Sequence, residues 1–162
     1  MEPQLDQFAT EVIGLGAKLG AVLIQLPPSL TFDPVVAGAF FSVLRSLMDA
    51  TIVCEPRHPT WFTPEAESLL IEHSIGRVAA DPSVVPIAAT PGGCKQNLYF
   101  RWHGSPRKYY STYDNRTLIE FAHRVVGAAQ AAGTVWCIFD NTAEGAAFAN
   151  ALTFAEMIAS GV

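Results

Sequence analysis

At 162 residues the chain suits one domain, long enough to bury a sizeable core. Half of its residues are hydrophobic and only 15% are charged, which fits an interior built from buried strands. A net charge of -5 without a basic stripe argues against nucleic acid as a partner, and no apolar run reaches membrane-spanning length.

Met1-Glu2-Pro3-Gln4 lacks the charged-then-apolar pattern of a secretory leader. Leu5, Phe8, Val12 and Leu15 recur at helical spacing, predicting a helix over 5–15 that Gly14, Gly16 and Gly20 break. Ala21 to Leu26 reads as a buried strand stopped by Pro27-Pro28. Asp33-Pro34 opens a helix to about Met48, and Thr51 to Glu55 is the next strand. Thr63-Pro64 repeats the start signal for a helix ending near His73. A short strand over Gly76 to Ala80 leads into a long irregular loop, Asp81 to Gln96, rich in Pro and Gly. Asn97 to His103 alternates as a strand; Asp114 caps a helix to about Ala132, closed by Gly133 at C′. Thr134 to Phe139 is a further strand, and Asn141-Thr142-Ala143-Glu144 resembles a capping box opening a last helix to about Ile158. Roughly five strands alternating with helices imply a parallel α/β sheet with right-handed crossovers.

In such folds ligands gather at the carboxyl ends of strands. Gln25 ends the first strand, and Glu55 the second with Arg57 and His58 just beyond. Arg101 and His103 mark the strand over 97–103, and Asp140 and Asn141 the last one. Alternation places Tyr99, Arg101 and His103 on one face and Leu98, Phe100 and Trp102 on the other, the second set suited to helix packing. Arg and Glu at such a mouth form either a ligand site or a self-satisfied ion-pair plug. Glu55, His58, His103 and Asp140 are metal-compatible types, but no local ligand spacing supports a metal, so none is expected. Cys54, Cys94 and Cys137 also lack metal spacing; Cys54 and Cys137 read as core residues in a reducing, cytoplasmic compartment. Gly14 to Gly20 precedes a strand, so it is no dinucleotide fingerprint, and the sequence specifies no cofactor. Tyr109, Tyr110 and Tyr113 cluster after Gly104, where they either wall a pocket or bury loop surface.

Four segments together resemble the YecE-like family, a group whose reaction is unassigned. They are Leu15–Gly20 running into Gln25-Leu26-Pro27-Pro28, Glu55–Phe62, Tyr99–Gly104, and Phe139-Asp140-Asn141 with the alanine-rich helix that follows. The resemblance implies a TIM-barrel-like (β/α) fold whose mouth is lined by Gln25, Glu55, Arg57, His58, Trp61, Arg101, His103 and Asn141. Asp140 stands where the family usually has Asn, and Pro56 where it usually has an aromatic. The family's first three strands have no counterpart here, so the resemblance implies one domain over 1–162 lacking them. That predicts self-association or a complementing chain. The reading is of Glu55, His58 and His103 as acid/base candidates, with Gln25, Arg57, Trp61, Arg101, Asp140 and Asn141 receiving a small anionic or sugar-like ligand. The alternative is a non-catalytic remnant or interaction module.

Overall fold

In a computed structural model, residues 2–130 and 132–162 are described. Met1 of the N-terminal motif and Ala131 of the expected fourth helix lie outside the described residues. The first helix, α1, spans Glu2–Ile13, two residues short of expectation, and a 3-10 turn at Gly16–Lys18 follows. Leu5 and Val12 pack on the core, whereas Phe8 and Leu15 of the same predicted stripe are exposed.

Strand β1 (Val22–Gln25) leads to α2 (Pro34–Leu47), where the Asp33 carboxylate accepts from the Val35 and Val36 N–H groups at 2.9 and 3.1 Å. Strand β2 (Ile52–Glu55) leads to α3 (Pro64–Glu72), capped by Thr63. These two proline-initiated helices form as the sequence predicts, because the cap oxygen satisfies orphan donors while Pro presets φ.

The predicted strand over 76–80 is divided into β3 (Gly76–Arg77) and β4 (Ala79–Asp81). At the break, the Val78 N–H bonds the Cys54 carbonyl at 2.9 Å. The expected loop is also more ordered than its composition suggests. It holds a 3-10 turn at Pro86–Ala89 and a two-residue strand, β5 (Gly92–Gly93), antiparallel to β3. Gly93 has φ +62°, and a Cβ there would strike the Ile75 carbonyl, so only glycine lets the backbone lie this close.

Strands β6 (Asn97–Trp102) and β7 (Thr134–Phe139) pair in parallel along their whole lengths. Helices α4 (Asn115–Ala129) and α5 (Ala146–Ser160) cover one face of them. Two endings differ from expectation. Helix α4 stops at Ala129, and Gly133 is not its C′ residue: its N–H bonds the Gln96 carbonyl at 2.8 Å, at the start of the β6–β7 ladder. Helix α5 starts after Gly145 at φ +77° with no side-chain cap, so the predicted capping box does not form. Asn141 is occupied elsewhere, as described below.

The pairing gives two sheets, β1-β2-β3-β5 and β4-β6-β7, with parallel pairs throughout except β3–β5. The first packs on α1 to α3, the second on α4 and α5. Parity holds in β6: Leu98, Phe100 and Trp102 are buried against helices, and Trp102 stacks on Phe121 at 4.5 Å. The opposite face is concave. Trp136, in register with Tyr99, reaches across from β7 to Gly20 just before β1, where a Cβ would lie 2.7 Å from the indole Cζ2. Among the described residues the strands do not close into a ring, since β1 and β7 each pair on one side only.

Candidate functional site

The concave face ends in a cluster of charged side chains supplied by four strands. Gln25 and Glu55 are paired neighbours at the ends of β1 and β2. Arg101 sits in β6, while His103 and Asp140 lie just beyond β6 and β7. Glu55 is the hub and is only 2% exposed. Its Oε1 accepts from Arg57 Nε at 3.1 Å and lies 2.9 Å from His103 Nε2, and its Oε2 accepts from Arg101 Nη1 at 2.8 Å. Arg101 also donates to Gln25 Oε1, and through Nη2 to Asp140 Oδ2 at 2.8 Å. Arg57 Nη2 donates to the same Gln25 oxygen at 3.1 Å. His103 Nδ1 lies 2.9 Å from Asp140 Oδ2.

The imidazole of His103 is therefore held between two carboxylates with no solvent contact. Ionised carboxylates only accept, so both contacts are hydrogen bonds when both ring nitrogens carry protons. Two guanidiniums and this imidazole thus converge on two carboxylates. Burial works to raise the Glu55 pKa, but hydrogen bonds and charge from His103 and Arg101 outweigh it and hold the group at about 2. Burial likewise works to lower the Arg57 pKa, but Glu55 and Tyr109 together outweigh it, so that pKa is raised.

Glu55 thus stays ionised at neutral pH with both oxygens engaged. Asp140 differs, being 24% exposed in its side chain and hydrogen-bonded through Oδ2 alone among the described residues. A guanidinium carries five N–H donors, and neither arginine spends all of them inside the cluster. The exposed Gln25 amide adds its NH2 group beside them.

Three predicted residues stand outside this network. His58 caps the 3-10 turn Pro59–Trp61: its Nδ1 accepts from the Thr60 N–H at 3.3 Å and lies 2.9 Å from Thr60 Oγ1. Trp61 is buried at the wall of an apolar 350 Å³ cavity and donates from its indole N–H to the Leu30 carbonyl at 3.0 Å. Asn141 is fully buried, and its Nδ2 donates to Asn150 Oδ1 at 2.8 Å and to the Ser111 carbonyl at 3.1 Å. Asn150 was not anticipated from the sequence; a lone amide on the buried face of an alanine-rich helix was the available signal. Among the described residues, no group of three or more His, Cys, Asp and Glu is arranged to hold a metal ion. The ring nitrogens of His103 are directed at the carboxylates that would otherwise share one with it.

A family model described as "Protein of unknown function DUF72" matches residues 1–161. Two solved structures share the fold. A DUF72 family protein from Thermotoga maritima has a TM-score of 0.83 and 23% identity, covering 98% of this chain and 65% of that one. A DUF72 family protein from Enterococcus faecalis has a TM-score of 0.83 and 21% identity, covering 98% and 66%. The chain thus spans just under two thirds of the length of these solved relatives. No curated protein matches the chain. No helix among the described residues is long and apolar enough to cross a membrane.

Proposed function

The chain belongs to the DUF72 family of proteins of unknown function, and on that premise we propose that the cluster receives a small anionic or polyhydroxylated ligand and exchanges a proton with it. The observation that carries this reading is the convergence of Arg57 and Arg101 on one Gln25 oxygen, with N–H donors to spare. An ion-pair plug would spend its donors on itself. Proton exchange falls to Asp140 backed by His103, because Asp140 has an unengaged oxygen and Glu55 has none. Glu55 is then the buried counter-ion that spaces the cations. Hydrolysis or isomerisation of a sugar-like or phosphorylated compound is chemistry that such a set serves.

Calorimetric titration with inorganic phosphate tests the reading. Wild-type protein binds phosphate, and Arg101→Gln weakens binding by about tenfold or more, the worth of a charge-assisted contact. Arg57→Gln repeats the test with less disturbance to Asp140. Unchanged isotherms in both variants would overturn the anion site.

A second reading concerns assembly. Every position of β7 after Thr134 is half-buried, whereas all of β2 is buried. With helices outside and parallel strands in the order β1-β2, then β3 running into β4, then β6-β7, the arrangement suits part of a TIM-barrel-like ring. Strands from another chain or a second copy would pair with β1 and β7. Sedimentation velocity then detects concentration-dependent association of the 162-residue chain. A monomer that melts cooperatively in calorimetry rules this reading out.

A further inference from the structure

The segment from Gly104 to Tyr113 crosses the cluster as a strap, and it brings a second set of groups to the mouth. Gly104 turns the chain at φ +93°, and a Cβ there would lie 2.8 Å from the Ser111 carbonyl. The far limb is pinned by the bond from Asn141 Nδ2 to that same carbonyl at 3.1 Å. Tyr109, between them, takes φ +70°, which L-residues with bulky side chains seldom adopt. Two backbone bonds hold it there: its N–H donates to the His103 carbonyl at 2.5 Å, and its carbonyl accepts from the Ala143 N–H at 3.1 Å.

This conformation sets the Tyr109 ring edge-on against the His103 imidazole, 5.6 Å between centroids and 88° between planes. The ring is half-buried, and the Lys108 ammonium lies 5.5 Å from its centroid. The strap therefore places an aromatic surface and a further cation beside His103, which shares the Glu55 carboxylate with the two arginines. Tyr110 and Tyr113 do not share this position. Tyr110 stacks under Arg107 at 3.7 Å, and Tyr113 is buried with its hydroxyl on Asp81 Oδ2 at 2.7 Å.

We propose that Tyr109 is a specificity-determining residue of this site, and that the ligand is an oxyanion carried on a ring, with the anion on Arg57 and Arg101 and the ring on Tyr109. Ring-bearing phosphates and carboxylates are the class this selects. The inference rests on the anion reading above, and it adds a demand that the anion site alone does not make. Stacking on an aromatic face adds affinity beyond area burial, so a ring on the ligand strengthens binding about tenfold.

Inorganic phosphate and phenyl phosphate are the probes, titrated into wild type, Tyr109→Phe and Tyr109→Asn. Asparagine tolerates positive φ, so the strap keeps its path while the ring is lost. Wild type and Tyr109→Phe prefer phenyl phosphate by about tenfold, and Tyr109→Asn by no more than about twofold. All three bind inorganic phosphate within about threefold of one another. A preference that survives in Tyr109→Asn, or is missing from wild type, overturns the role of Tyr109 and leaves the anion site standing. Failure of wild type to bind phosphate at all overturns the anion site, and this inference with it.

Discussion

Asp140 and Asn141 are adjacent in the chain yet belong to two different polar networks. Asp140 faces the concave side and joins Arg101, His103 and, through them, Glu55, Arg57 and Gln25. Asn141 faces the opposite way and joins Asn150, whose Nδ2 donates to the Tyr113 carbonyl at 2.9 Å and whose Oδ1 accepts from the Tyr113 N–H at 3.0 Å. The second network is neutral and sealed. Asn141 is 0% and Asn150 5% exposed, and Asn141 Oδ1 is the one buried side-chain polar atom without a partner among the described residues. Its donors are spent on fixing the strap to α5. The first network is charged, keeps donors in reserve, and exposes one carboxylate oxygen. Nearly complete satisfaction marks the scaffold, and surplus marks the site.

The comparison breaks most visibly at Glu55. Glu55→Gln removes the carboxylate that Arg57, Arg101 and His103 share and leaves the Arg57 guanidinium with no carboxylate partner among the described residues, which costs about 3–5 kcal/mol in urea denaturation. The same group sets an acid limit. Its pKa falls from an ordinary 4.5 unfolded to about 2 folded, so its contribution is complete above pH 4.5 and fades as pH falls toward 2. Over that window wild type loses roughly 3 kcal/mol from this carboxyl, a loss that Glu55→Gln no longer shows. A denaturation midpoint in the variant as acid-sensitive as that of wild type would remove Glu55 from the centre of the network.

The neutral network responds differently. Asn150→Leu leaves the Tyr113 N–H and carbonyl without partners and the Asn141 amide with the Ser111 carbonyl alone, at a cost of about 2 kcal/mol. Amide hydrogen exchange at Tyr113 accelerates while phosphate affinity stays within about threefold of wild type, because no member of the charged cluster is touched. A loss of phosphate binding as large as that in Arg101→Gln would mean that the two networks act as one.

What was legible in the sequence follows the same division. Period-two alternation in 97–103 placed Arg101 and His103 on the concave face, since a strand paired on both sides leaves no freedom of parity. Asp33, Thr63 and Asp114 marked helix starts because a cap is a local contact. Tertiary bonding overrode local signals elsewhere. Glu144, three residues on, marks Asn141 as a cap, but Asn150, nine residues away, claims its amide. The break at Val78 is hidden because the strand passes from one sheet to another with no glycine or proline at the crossing. Nothing in the sequence separates Tyr109 from Tyr110 and Tyr113; its backbone is fixed by its bond to the His103 carbonyl and by the one it accepts from the Ala143 N–H. The partition of labour between Glu55 and Asp140 was equally out of reach, because it depends on burial and on who donates to whom across four strands.

The smallest effect is expected at His58, and it tests where the charged network ends. Sequence proximity to Glu55 and Arg57 made His58 a candidate acid or base. Pro56 and Pro59 take the backbone out of the strand, and the ring turns to its own chain to accept from the Thr60 N–H. Thr60 Oγ1 in turn accepts from the Phe32 N–H at 2.7 Å, so His58 is the outer member of a chain of local bonds supporting the loop after β1. His58→Ala therefore behaves as a lost cap, lowering stability by about 1 kcal/mol. His58→Asn restores most of that loss, since its carbonyl oxygen can accept from the same N–H. Neither substitution moves phosphate affinity by more than about twofold, because no cation of the cluster loses a partner. A drop comparable with that of Arg57→Gln would extend the site to His58 and require the loop to rearrange when ligand enters.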